Sequence, residues 1–338
     1  MVALFATVLF TACSNDEAVQ VKNRQEISFR LQGGMPDITT RSLATTTANI
    51  DAFVVFGTDD ELEGLATPAL LFDAITVARQ INGSWDYAPK KYYSATATTA
   101  GFFAFSPVSA NITPGSISAT PANVLTGVAS FDYTVLPPDG SGNAIQEDLL
   151  VAGGVESSLT PPQVILAFKH ALARIFVTAT NAADDPVIIK KLSLLNLETV
   201  GTLNFDPVAT PVVAWTSTST KATFPYVLAP SGVVVPAGTS SKTLVTSWEQ
   251  GMMVLPQETE NTTPDDYTAG DFALEIEYDI ANLTGQTTHV YITDGYEFLA
   301  GQQYNINITF NASVAGQPIE FSGITVEPFG TPVNEVNP

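Results

Sequence analysis

The feature that most constrains this chain is a period of two. "EISFRLQ" (26–32) sets Ile27, Phe29 and Leu31 against Ser28, Arg30 and Gln32. Alternation of that kind gathers apolar side chains on one face of a strand and spreads them around a helix. The pattern recurs in "NIDAFVVFG" (49–57), "ALLFDAITV" (69–77), "GFFAFSP" (101–107) and "DLLVAGG" (148–154). Clusters of Thr, Ser, Gly, Pro and Asn, the residues that turns require, separate these runs. "VILAFKHALARIFVTATN" (164–181) contains Ala and Leu that a helix would tolerate, but its flanks are β-branched and read as strand. Beyond the polar cluster "TNAADDPV" (180–187) come "VIIKKLSLLNLETVGTLNF", "GMMVLPQ", "FALEIEYDI", "THVYITDG" and "YNINITF", again short and alternating. A chain of 338 residues divided once by a Pro-containing polar turn predicts an all-β molecule of two antiparallel β-sandwiches in tandem.

The single cysteine, in "TACSNDEAVQ" (11–20), stands directly behind the apolar run "MVALFATVLF". A run of about a dozen residues is too short to span a bilayer as a helix and has the length of a secretory h-region. With Thr11 and Ala12 before Cys13, "LFTAC" resembles the lipobox of bacterial lipoproteins, in which the cysteine is acylated and becomes the mature N-terminus. The departure from that pattern is that no Lys or Arg precedes Cys13. The polar "SNDE" that follows resembles the stretch that directs some Gram-negative lipoproteins to the outer face of the outer membrane. Residues 1–13 therefore read as a lipoprotein signal and Cys13 as an anchor.

A net charge of −21 would repel phosphate backbones and excludes nucleic acid as a partner. With 45% hydrophobic and only 14% charged residues the chain is folded rather than disordered. His170 and His289 each lie inside an expected strand and far from any nucleophile motif, so both read as structural. No GxSxG, HExxH, P-loop or dinucleotide fingerprint occurs, and no cofactor is implied. Carboxylate pairs in "TDDELEG" (58–64) and "TTPDDYTAGD" (262–271) are hard ligands that Ca²⁺ would accept, although in so acidic a chain solvated loops are the plainer reading, and no metal is assigned. Trp85, Tyr87, Tyr92 and Tyr93 offer amphipathic rings to cover a core edge, with a glycan platform as the functional alternative. Pro89 with Lys90 and Lys91 marks an edge or a bulge. Lys169, His170 and Arg174 read as charge balance for neighbouring carboxylates.

Taken in order, "WDYAPKKYY" (85–93), "FFAFSP" (102–107), "QEDLLVA" (146–152), "LAFKHALARIFV" (166–177), "IKKLSLLNLETVGTLNF" (189–205), "MMVLPQ" (252–257), "FLAGQQYNINI" (298–308) and "GITVEPF" (323–329) resemble the fimbrillins, lipoprotein-derived pilus subunits of Gram-negative anaerobes. The resemblance implies sandwiches of the transthyretin-like or Ig-like kind, divided as 42–182 and 183–338, in a structural protein rather than an enzyme. It also implies a mechanism. An Arg-specific, trypsin-like protease cuts behind the first strand, and the strand leaves with its lipid. A neighbouring fimbrillin subunit, another copy or a related one, then fills the opened groove with its own C-terminal strand.

Set against these implications, residues 14–41 are a propeptide whose removable strand carries Ile27, Phe29 and Leu31. The loop "GGMPDITTRSLATTTAN" (33–49) holds one basic residue, which places the cut at Arg41 and Ser42. The donor lies in "GQPIEFSGITVEPFGTPVNEVNP" (316–338), where Ile319 and Phe321 alternate in one phase and Ile324 and Val326 in the other. A bulge near Ser322–Gly323 is expected to join the two phases. The precursor would sit in the outer membrane through lipid on Cys13 and the processed subunit in a surface fimbrium serving adhesion to host or bacterial glycans or proteins. A tip adhesin, an anchor subunit and a monomeric glycan-binding lipoprotein are the alternatives.

Overall fold

The computed structural model describes residues 26–32, 50–138, 146–217, 219–226, 228–246, 251–260, 268–291, 295–311 and 319–328, the last through its backbone. Cys13, Arg41 and Ser42 lie outside these residues. In chain order the strands are β1 (Ser28–Leu31), β2 (Ala52–Asp59), β3 (Phe72–Arg79), β4 (Trp85–Asp86), β5 (Ala100–Ser106), β6 (Ala129–Thr134), β7 (Leu150–Glu156), β8 (Gln163–Leu166), β9 (Lys169–His170) and β10 (Ala173–Asn181). They continue as β11 (Val187–Glu198), β12 (Val200–Phe205), β13 (Val213–Ser217), β14 (Lys221–Tyr226), β15 (Val233–Val235), β16 (Thr239–Leu244) and β17 (Met252–Val254). The last are β18 (Gln257–Glu258), β19 (Ala273–Ile280), β20 (Leu283–Tyr291), β21 (Glu297–Phe298), β22 (Gln302–Phe310) and β23 (Ile319–Pro328). Two single-turn helices, α1 (Asp60–Glu63) and α2 (Pro121–Leu125), are capped at their N-termini by Asp59 and Thr120.

The first large sheet is antiparallel in the order β4-β3-β2-β5-β7-β9. β2 and β5 are buried along nearly their whole length because both faces are covered. Phe53, Val55, Phe102 and Ala104 point to one side, where β1 and β8 form a separate two-stranded parallel layer. Val54, Phe56, Phe103 and Phe105 point to the other, against the antiparallel sheet β13-β12-β6. There the Phe103 ring lies 6.1 Å from Phe131 and 5.6 Å from Phe205. This half thus has three layers.

The second half packs two sheets face to face. One runs β10-β22-β23 with β16 and β17 side by side on the far edge of β10. The other runs β11-β19-β20 with β14 and β15 on the far edge of β11. Tyr226 spans the two, its Oη donating to the Ile175 carbonyl at 2.6 Å and accepting from the Met252 N–H at 2.9 Å, while Tyr278 meets Phe310 edge-on at 5.4 Å. The expected sandwich packing is present, but two ladders are parallel, β1 with β8 and β10 with β22. Parallel pairing joins strands distant in sequence, which alternation within each strand does not reveal.

Pairing also crosses the polar turn at 180–187. β10, before it, pairs with β16, β17 and β22 beyond it, and β12 joins β6 from the other side. One cluster of buried apolar residues reaches from Val54 before the turn to Phe310 beyond it, while a second, around β1, stays before it. The run 164–181 is strand, as its flanks suggest, but it is three strands, β8, β9 and β10, in three different sheets. Its basic residues part company accordingly. Lys169 is exposed, His170 holds Asp148 through Nδ1 at 2.9 Å, and Arg174 is sealed at 0% exposure with its guanidinium 4.7 Å over the Phe176 ring. Burial lowers the Arg174 pKa to about 10, opposed by the Asp148 charge, so it remains cationic at neutral pH.

Candidate functional site

The site is the groove that holds β1. Alternation puts Ile27 and Phe29 on the inward face, where they are 0% and 5% exposed; Leu31 is half-buried at the strand's end. Phe29 enters a cage of four rings, edge-on to Phe72 at 5.4 Å, Phe53 at 5.7 Å, Tyr87 at 5.7 Å and Phe102 at 6.1 Å. Three of these rings come from the adjacent strands β2, β3 and β5 of one sheet. Gly57 on β2 makes room for them, since a Cβ there would lie 2.7 Å from the Phe102 ring. The same apolar cluster includes Val164 and Leu166 of β8, which stand beside Phe29 and Leu31 in the ladder, and Phe168.

One edge of β1 is laddered to β8 in the register Ser28↔Gln163 to Leu31↔Leu166. The ladder is extended by Ser28 N–H to the Pro162 carbonyl at 2.8 Å and Gln32 N–H to the Leu166 carbonyl at 2.9 Å. The other edge is gripped at its start by residues 86–91. Tyr87 Oη donates to the Ile27 carbonyl at 2.7 Å, the Ile27 N–H donates to the Lys91 carbonyl at 3.0 Å, and the Lys91 N–H donates back to Tyr87 Oη at 3.3 Å. Lys90 bridges Glu26 and Asp86 at 2.5 Å each. Burial raises the Tyr87 phenol to about 12. The two carboxylates raise the Lys90 pKa, and Lys90 lowers that of Asp86. Further along, a cleft of about 510 Å³ opens beside β1, lined by Arg30, Leu31, Arg79 and Trp85.

The segment "WDYAPKKYY" is therefore less a core edge than a clasp. Trp85 and Asp86 form the edge strand β4, with Trp85 5.1 Å from Phe53. Tyr87 closes over the first strand, and only Tyr92 of the four rings is exposed. Sequence reasoning singled these residues out without assigning them to β1. The available signal was the cluster of three Tyr and two Lys around Pro89, which promised a contact but not its target.

The donor candidates Ile319, Phe321, Ile324 and Val326 lie in β23, whose backbone pairs antiparallel with β22 at the edge of its sheet. The register shifts at Ser322, between the pairs Asn307↔Gly323 and Ile308↔Phe321, where the phase of alternation changes in the sequence. β1 and β23 thus belong to different sheets of one molecule.

Of the other groups considered for chemistry, Asp265 and Asp266 lie outside the described residues, and Asp59, Asp60, Glu61, His170 and His289 are occupied in holding the fold. Asp59 accepts from Leu62 N–H at 2.9 Å and Ser94 N–H at 2.8 Å, while Thr98 and Thr96 donate to Asp60 and Glu61. These carboxylates tie the 94–99 loop to α1. His289 faces Glu275 at 3.4 Å. A second cleft, of about 730 Å³, is lined by His170, Trp215, Glu258 and Glu297, but the Trp215 N–H is spent on the Ala171 carbonyl at 2.7 Å and His170 on Asp148. Among the described residues no three His, Cys, Asp or Glu gather as a metal site, and no helix is long and apolar enough to cross a membrane.

Comparison with solved structures places this fold among fimbrial proteins. The chain is similar to a fimbrial protein from Bacteroides vulgatus ATCC 8482, at 18% identity over 90% of this chain and 98% of that one, with a TM-score of 0.58. It is also similar to Mfa2, the fimbrial anchor protein of Porphyromonas gingivalis, at 12% identity over 90% and 97% of the two chains, with a TM-score of 0.39. No curated protein sequence matches it. The model of the fimbrillin-like family matches residues 40–328, which takes in every sheet described above except β1 of the two-stranded layer. The chain belongs to the fimbrillin-like family.

Proposed function

We propose that this chain is a structural subunit of a cell-surface pilus, made as a lipidated precursor and polymerised by exchange of its first strand. The observation that carries the proposal is β1. It seals Ile27 and Phe29 in the core, is laddered along one edge to β8, and leads directly into the segment that contains Arg41. In this scheme residues 1–13 are the signal, 14–41 are lost, and 42–182 with 183–338 make the body of the subunit. The family match begins at residue 40, two residues before the processed start proposed here, which supports this division.

While the chain is intact, β1 competes for its groove as part of the same molecule, at a high effective concentration that no separate strand matches. A cut by an Arg-specific, trypsin-like protease at Arg41–Ser42 removes that advantage, and β1 departs with the lipid on Cys13. Emptying the groove withdraws about 1.5–3 kcal/mol of burial for each of Ile27 and Phe29 and exposes an unpaired edge of β8. Strand addition restores both terms, ladder bonds supplying affinity and alternate side chains the fit. β23 suits the donor role because it is hydrogen-bonded on one side only, to β22, and its withdrawal leaves the other strands of its sheet paired. The partners are other copies or other fimbrillin subunits, and the fibre serves adhesion.

The test is to treat purified precursor with a trypsin-like protease and follow size under non-denaturing conditions. Wild type should ladder and Arg41→Ala should remain a folded monomer. Equal laddering of both, or none after a confirmed cut at Arg41, would overturn the proposal.

A further inference from the structure

Building on the strand-exchange reading above, we infer that the exchange is locked in one register. Ile319 of one subunit takes the place of Ile27 in the next, and Phe321 takes the place of Phe29, running in the same direction along β8. The groove sets the terms. It has a fully sealed site for a branched aliphatic side chain and, two residues on, a cage of four rings that holds a fifth. Ile-x-Phe occurs at three places in the chain, 27–29, 308–310 and 319–321. The second lies in β22, laddered on both sides to β10 and β23, and cannot leave. The third lies in the edge strand β23.

The competing registers fail on chemistry. Beyond residue 318 the only aromatic residues are Phe321 and Phe329. Seating Phe329 in the cage would carry Glu327 into the sealed Ile27 site, and burying an unpaired carboxylate is prohibitive. It would also put Pro328 where Ser28 donates its N–H to Pro162, and proline has none to give. Seating Ile324 at the Ile27 site would leave Val326 in a cage shaped by edge-on rings. In the register inferred here the backbone donors of Ile27 and Ser28 are replaced by Ile319 and Glu320 and, past a bulge at Ser322, that of Gln32 by Thr325, all of which carry an N–H, and Pro318 and Pro328 both fall outside the span. The half-buried place of Leu31 would receive Gly323. A bulge at Ser322, which the strand already makes against β22, brings Ile324 there instead.

The register can be read by disulfide trapping, because Cys13 is the only native cysteine. Gln163 is exposed and stands opposite Ser28 in the β1–β8 ladder, so it should stand opposite Glu320 of the incoming strand, about 4.8 Å away and within disulfide reach. In a Cys13→Ala background, full-length chains carrying Gln163→Cys with Glu320→Cys, or Gln163→Cys with Thr325→Cys, are cut with a trypsin-like protease and oxidised. They are then run on denaturing gels without reductant, beside native gels of the same samples. The expected result is a covalent ladder with Glu320→Cys, none with Thr325→Cys, and none from the uncut precursor. Phe321→Ala should slow laddering by at least about tenfold and Phe329→Ala by less than about twofold. A ladder trapped with Thr325→Cys instead would overturn the register and leave strand exchange standing. Failure of every chain, wild type included, to ladder on native gels after a confirmed cut would overturn strand exchange and the register with it.

Discussion

Among the residues around β1, magnitudes separate those that hold the strand from those that decorate it. The Lys90 bridge to Glu26 is geometrically the shortest contact, but both side chains are about 40% exposed, and an exposed pair of this kind contributes about 0–1 kcal/mol. Tyr87 is buried and joins two backbone groups of different segments. We predict that Tyr87→Phe, which keeps the ring in the cage, lowers the stability of the uncut precursor by about 1–3 kcal/mol and lowers protection of the Ile27–Leu31 amides in hydrogen exchange. Unchanged protection would show that the clasp does not hold the strand. The pH dependence follows from the same group. Burial raises its pKa from 10.0 to about 12, so the folded state favours the neutral phenol. Its contribution is complete below pH 10, where both states are protonated, and is lost as pH rises toward 12. Tyr87→Phe should flatten that alkaline loss in a denaturant-midpoint series.

At the level of the strand, β1 differs from every other element in being destined to leave under the proposed scheme, and this gives it a signature that an ordinary core strand lacks. Phe29→Ala empties a four-ring cage and should destabilise the precursor by about 3–5 kcal/mol. After the cut at Arg41 the altered residue is gone, so processed subunits from wild type and variant should have the same unfolding midpoint. An equal deficit in both would mean that residue 29 stays with the folded body. Strand phase was plain in the sequence at both ends of the process. Ile27 and Phe29 face the core, and the break of phase between Phe321 and Ile324 coincides with the bulge at Ser322. What β1 pairs with was not plain. "VIL" at 164–166 alternates like any other run, and only the fold brings Val164 and Leu166 beside a strand more than a hundred residues earlier.

For the molecule as a whole, the sandwich architecture and the membership of the fimbrillin-like family agree, and the surface-fibre role proposed above builds on both. Under the proposed scheme a lipid tether belongs to this level too, since it would determine where the precursor waits for its protease. Cys13→Ala should leave the precursor unlipidated and absent from the outer membrane, measured by membrane fractionation and surface labelling. Normal surface display of that variant would remove lipidation from the scheme without touching the fold.

The sequence by itself determined what depends on neighbours along the chain. Period two marked the strands and Gly, Pro, Asn and Ser clusters marked the breaks, while the cut expected at the lone basic residue of 33–49 rests on the resemblance to fimbrillins and lies outside the described residues. Tertiary structure alone decided what depends on which strand edges meet. These are the parallel layer of β1 on β8, the division of 164–181 among three sheets, and the pairings that cross the polar turn at 180–187. Arg174 carries the same lesson, since a cation in an alternating run reads as surface until the fold buries it against the Phe176 ring. Backbone hydrogen bonds carry no side-chain identity, so a strand's sequence states which of its faces is wet but not which partner completes its ladder.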